Sequence, residues 1–169
     1  MKVVKSEIPE NSLILNYLPA NYTDVYKCTI TDNKGISADD IQVVFWTRQP
    51  KWLKALFNIR NSIVRFFGLK TDRADPSEFE RCIRAGSNYH FTSIPAKSAN
   101  ETIIYLQDKH LSAYLSVYIE DIGTNNKTVY ATTLVHFHYW LGYAYFYTIY
   151  PFHHLVVKKM LKQTLMHLS

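Results

Sequence analysis

The stretch HLSAYLSVYIED, residues 110–121, decides the fold. His110, Ser112, Tyr114, Ser116, Tyr118 and Glu120 fall on one side of it, and Leu111, Ala113, Leu115, Val117 and Ile119 on the other. A period of two belongs to a β-strand, because successive side chains point to opposite faces of a sheet. A sheet with an apolar face must bury that face against a second layer. The same pattern runs outward in both directions. Residues 89–94, 102–107 and 128–140 are predicted strands, separated by the turn-forming stretches 95–100, 108–109 and 123–126. Connections this short join antiparallel neighbours.

Upstream, Pro9 and Pro19 make residues 1–21 an extended arm. Residues 22–30 are predicted as the first strand, followed by the turn chemistry of Asp32, Asn33, Lys34 and Gly35. Ser37 and Asp40 form a capping-box pattern that opens a short helix to about Arg48. Pro50 suits the first turn of a second helix, which runs to Phe67 and stops at Gly68. Residues 71–81 are polar and are read as a loop, or a short helical turn after Pro76. Residues 141–168 have helical spacing across Pro151, which should kink them. Before the proline this segment is apolar or aromatic nearly all round, which implies cover on several sides. After it, Val156, Val157, Met160, Leu161, Leu165 and Leu168 form a buried face opposite Lys158, Lys159 and Lys162.

The expectation is therefore an α+β domain spanning residues 1–169. An antiparallel sheet wraps around a long C-terminal helix, with two further helices between the first and second strands. Composition excludes several function classes. A net charge of +5 would suit nucleic acid, but the basic residues are spread along the chain without a reading motif. No stretch reaches the roughly 18–20 apolar residues of a membrane span, and the N-terminus lacks the apolar run of a signal peptide. Two cysteines, Cys28 and Cys82, make no disulfide scaffold, so a reducing, cytoplasmic setting is expected. No GxSxG, P-loop or GxGxxG is present, and no cofactor is implied.

Two blocks carry a family resemblance: PKWLKALFNIRNSIVRFFGLK at 50–70 and HFHYWLGYAYFYTIYPFHHLVVKKML at 136–161, with YLPANYTDVY at 17–26 compatible. The chain resembles a bacterial family of unknown function, DUF2867. Through it the chain is similar to the helix-grip superfamily of START and birch-allergen-like domains (SRPBCC). That resemblance implies a curved sheet, a long C-terminal helix and a cavity for an apolar ligand. It implies no reaction and no catalytic residues.

Four groups of residues could carry chemistry. Arg60 falls near the centre of the apolar arc of its helix, where a charge needs a partner. That partner is either a sheet carboxylate such as Glu120 or Asp121, or the anionic end of a ligand. His153 lies on the buried side of the last helix, as a core histidine or as a ligand contact or general base. Tyr114, Tyr118 and Glu120 share one strand face, which is a wet sheet face or a site for acid–base chemistry. His136 and His138 have metal-compatible spacing but no third ligand in any local motif, so no metal site is expected. The expected function is to bind a small, largely apolar molecule between sheet and helix, with Arg60 or the tyrosines at its polar end. The alternatives are a cyclase- or isomerase-type enzyme using the same cavity, and an interaction protein whose cavity is filled. Thiol titration of the unfolded, unreduced chain is expected to find both cysteines free; recovering neither would overturn the reading of the compartment.

Overall fold

The alternating segment becomes β5 (Leu111–Gly123), the longest strand of a six-stranded, wholly antiparallel sheet. The computed structural model describes residues 1–31, 35–53, 55–56, 75–90 and 92–169. The other strands are β1 (Val4–Lys5), β2 (Tyr22–Thr31), β3 (Thr92–Lys97), β4 (Glu101–Gln107) and β6 (Asn126–Phe137). Their spatial order is β1-β2-β6-β5-β4-β3. Among the described residues, the sheet is accompanied by the helices α1 (Ala38–Thr47), α2 (Pro76–Ala85) and α3 (Trp140–Leu168). Residues 51–53 and 55–56 are also helical. The greater part of the helix expected over 50–67 lies outside the described residues, as do Arg60 and three residues of the turn at 32–35.

The register separates two faces. Tyr26, Cys28, Val117, Ile119, Val129 and Ala131 pack together with Ile41 of α1 and with Val157, Leu161 and Leu165 of α3. Further along, Phe79, Cys82 and Ile83 of α2 join Val43, Ile94 and Ile104. All three helices therefore cover one face. Gln42, 2% exposed, ties α1 to this face: its amide nitrogen donates to the carbonyls of Thr102 (3.0 Å) and Leu115 (3.1 Å). Both cysteines are free and buried. The capping box of α1 is complete, with Ser37 Oγ accepting from the Asp40 amide and the Asp40 carboxylate accepting from the Ser37 amide.

The N-terminal arm is not simply extended. It forms β1 and a 3-10 helix at Leu13–Tyr17, which lies on the opposite face. Ile14 packs there against Ile103 and Leu134, and Tyr17 stacks on Tyr114 with centroids 4.3 Å apart. Glu101, wholly buried, secures the arm. One carboxylate oxygen accepts from Ser12 Oγ (2.7 Å) and Ser116 Oγ (2.5 Å), the other from the Leu13 amide (2.5 Å). Because the arm itself contributes β1 as the first strand, the described helices α1 and α2 stand between β2 and β3.

Other boundaries also move, for physical reasons. The short helical turn expected after Pro76, as the alternative to a loop, is α2, a full helix of ten residues. Asp75 caps it through Ser77 and Glu78, Pro76 occupies its first turn, and Gly86 closes it in the left-handed region (φ 66°). Its charged outer face disguises a buried stripe of Phe79, Cys82 and Ile83. The strand expected at 89–94 is displaced to β3 and passes through Pro95 at a bulge. A proline without an amide proton is tolerated there because β3 is an edge strand. β6 ends at Phe137, and Trp140 opens α3 instead of ending the strand. α3 continues through Pro151 as one helix. Its first half is less covered than expected: Gly142, Tyr145 and Phe146 are buried, whereas Trp140 is 74% and Tyr147 57% exposed. Among the described residues, no helix is long and apolar enough to cross a membrane.

The join between sheet and helix depends on Gly142. The His138 amide donates to the His110 carbonyl (2.9 Å), and a Cβ on Gly142 would lie 2.3 Å from that same oxygen. The obstacle is backbone, so the start of α3 would have to shift. Gly142→Ala is expected to lower stability by about 1–3 kcal/mol in denaturant unfolding; an unchanged midpoint would refute the close approach.

Candidate functional site

β2 alternates Tyr22, Asp24 and Tyr26 on the helix-covered face, and β6 feeds α3 back across them. An aspartate on an inward-facing strand position is costly unless its oxygens find donors. Asp24 is 7% exposed. Its Oδ2 accepts from the Tyr22 hydroxyl (3.1 Å) and contacts His153 Nε2 (3.1 Å), with His154 Nδ1 at 3.7 Å. Its Oδ1 is buried and, among the described residues, receives no hydrogen bond. The Tyr26 hydroxyl lies 2.6 Å from His154 Nδ1.

Rings gather around its partners. Tyr22 lies 4.6 Å from Phe146, 5.7 Å from Tyr150 and 5.9 Å from His153, centroid to centroid. Tyr150 stands 4.5 Å from His154, edge to face. A recess of about 370 Å³ opens between residues 5–8 of the arm and residues 23–25 of β2, with Asp24 in its wall. A second recess, about 260 Å³, lies beside α2 and includes Glu78, Arg81, Cys82 and Tyr89.

The cluster stabilises neutral partners around one anion. Burial, then the charge of Asp24, raises the Tyr22 phenol far above its ordinary value. The same two causes, with Tyr150, push Tyr26 up to about 12. Burial also lowers His154, outweighing the attraction of Asp24; His153, Lys5 and Lys158 lower it further. A neutral His154 can accept the Tyr26 proton at Nδ1. The chemistry available is a buried carboxylate beside an imidazole and two phenolic donors, with one carboxylate oxygen unused.

The residues singled out from the sequence do not converge. His153 sits in this cluster on the helix face. Tyr114, Tyr118 and Glu120 share a face, as their spacing implies, but it is the opposite one, facing away from α3. There Tyr114 is packed among Tyr17, Tyr105 and His136, and Glu120 accepts from the Tyr130 hydroxyl (2.9 Å). Those three therefore cannot meet the same small ligand as His153. His138 spans Ser112 Oγ (3.3 Å) and the Lys109 carbonyl (3.2 Å), while His136 stands edge-on to Tyr114. Among the described residues, no three His, Cys, Asp or Glu side chains gather as metal ligands. Asp24 is not among the residues singled out from the sequence. The available signal was the TyrThrAspValTyr alternation of β2, which puts a carboxylate between two inward aromatic rings.

The family model described as "Protein of unknown function (DUF2867)" matches residues 17–160. No curated protein and no solved structure matches this chain.

The raised phenols have a consequence at alkaline pH. Tyr22 and Tyr26 ionise at about 10 when unfolded but later when folded. Between those values the native state holds more protons, so its stability declines as pH rises. Unfolding followed from pH 9 to 12 is expected to show that decline setting in near pH 10, with a shallower slope in Tyr26→Phe. Equal slopes would show that Tyr26 is not held protonated.

Proposed function

Starting from a chain that belongs to the DUF2867 family, whose description carries no activity, we propose a small-molecule-binding domain of the helix-grip kind. It takes a largely apolar ligand between the sheet and the first half of α3, with the polar end at Asp24 and His153. The observation that carries this reading is Asp24 Oδ1, a buried acceptor without a donor among the described residues, on a residue that also lines the recess beside the arm. A buried polar atom is ordinarily satisfied, and an orphan carries a penalty of about 1–3 kcal/mol that a ligand's donor removes. The exposed rings of Tyr143 and Tyr147, beside buried Tyr145 and Phe146, offer apolar surface of the kind that lines ligand sites. The helix-grip reading is supported by the antiparallel sheet with one long C-terminal helix against a single face.

A second reading has its own support. The 3.1 Å contact between Asp24 Oδ2 and His153 Nε2 is the arrangement in which a carboxylate orients an imidazole as a general base. A cyclase- or isomerase-type enzyme would use that pair on a ligand bound in the same place. Recovering the bound molecule unchanged after prolonged incubation favours the binding module; recovering an isomer favours the enzyme.

Native mass spectrometry of the purified protein, followed by melting with a panel of apolar-tailed compounds, tests the proposal. A ligand at a hundred times its Kd adds about 2.7 kcal/mol, which for a chain of this size raises Tm by roughly 5–10 °C. Asp24→Asn is expected to reduce the shift. If no compound in a broad panel moves Tm, the binding reading fails.

A further inference from the structure

We propose that the Asp24 site selects ligands ending in a primary ammonium group, seated on Asp24 Oδ1 beside Tyr22 and the rings that pack on it, Phe146 and Tyr150. The inference rests on the binding role proposed above and specifies its ligand class.

The open position accepts and cannot donate. Oδ2 already meets the Tyr22 hydroxyl and His153 Nε2, whereas Oδ1 meets nothing among the described residues. A ligand carboxylate or phosphate would bring like charge and no donor to that oxygen. An alcohol would supply one proton. An ammonium supplies three, and a hydrogen bond between two ionised groups is roughly twice as strong as one between neutral groups.

The surroundings point the same way. Phe146 faces Tyr22 at 4.6 Å and Tyr150 at 6.0 Å, so the rings form a cluster beside the carboxylate. Aromatic faces carry negative potential and attract a cation within about 6 Å. The site's own chain already shows that preference, since Lys158 Nζ sits 5.4 Å from the Tyr26 centroid. Within the recess wall, Glu7 and Asp24 outnumber Lys5, leaving a negative balance. His154, held below its ordinary pKa chiefly by burial, does not neutralise it. Arginine or lysine from the protein could have closed the position, as Lys97 of β3 closes Asp39 of α1 at 2.5 Å. Among the described residues none does so at Oδ1.

Three probes matched in their apolar part decide the matter: 3-phenylpropylamine, 3-phenylpropan-1-ol and 3-phenylpropanoic acid. Each is titrated calorimetrically at pH 7 into the full chain. The amine is expected to bind at least about tenfold tighter than the other two, the scale of one desolvated cation–π contact. Asp24→Asn is expected to abolish that preference while retaining the weak affinity for the alcohol. If that variant does not fold, Tyr150→Leu is used instead, and the ratio of amine to alcohol affinity is expected to fall severalfold. Equal or tighter binding of the alcohol or the acid overturns the ammonium assignment and leaves the binding role standing. So does failure of all three probes when other apolar compounds still raise Tm. A preference that survives intact in whichever variant is used also overturns the assignment. If neither the probes nor the panel bind, the binding role fails with it.

Discussion

The ten-residue ladder between β2 and β6 holds the helix side of this protein together. It pairs Tyr22 with Val135 and runs to Thr31 opposite Asn126, joining chain segments about a hundred residues apart. Because β6 leads into α3 after only His138 and Tyr139, the ladder also determines what α3 must cross. Closing so long a loop is entropically unfavourable, and non-local strand pairing is the slow step this topology imposes. Once it forms, Tyr22, Asp24 and Tyr26 lie beneath Phe146, His153 and His154 without further adjustment.

Two buried carboxylates on opposite faces of the same sheet show how structure and site are distinguished. Glu101 faces the N-terminal arm, and both its oxygens are occupied by two hydroxyls and an amide. Its charge is dispersed among fixed dipoles, and nothing remains for a ligand to do there. Asp24 faces α3 and is saturated at one oxygen only. The difference is not burial, since both are enclosed. It is the number of donors each neighbourhood supplies: Glu101 is saturated, whereas Asp24 keeps one acceptor open among the described residues.

Much of the architecture was legible because it follows short-range rules. Alternation in residues 110–121 marked β5, and the paired Ser37 and Asp40 marked the start of α1. The misreadings have a common cause. α2 was hidden by the charges of Glu78, Glu80, Arg81 and Arg84, although Asp75, Pro76 and Gly86 bracket it with complete capping chemistry. β3 was displaced because Pro95 reads locally as a turn, and only an edge position makes it tolerable in a strand. The end of β6 was blurred because Phe137 to Trp140 is aromatic on both parities, so no period marks where strand becomes helix.

For the site, the sequence by itself determined which side chains share a face: Tyr114 with Tyr118 and Glu120, and Tyr22 with Asp24 and Tyr26. Strand periodicity alone settles that, since neighbouring residues must point to opposite sides. It also marked His153 as an inward residue of the last helix. Which face meets which layer was decided only by tertiary structure. The arm carrying Ile14 and Tyr17 took the face of Tyr114, and α3 took the face of Asp24. Local patterning assigns a residue to one of two sides, but identical alternation is compatible with either covering layer. The choice comes from pairings between residues far apart in the chain, and no local signal encodes them.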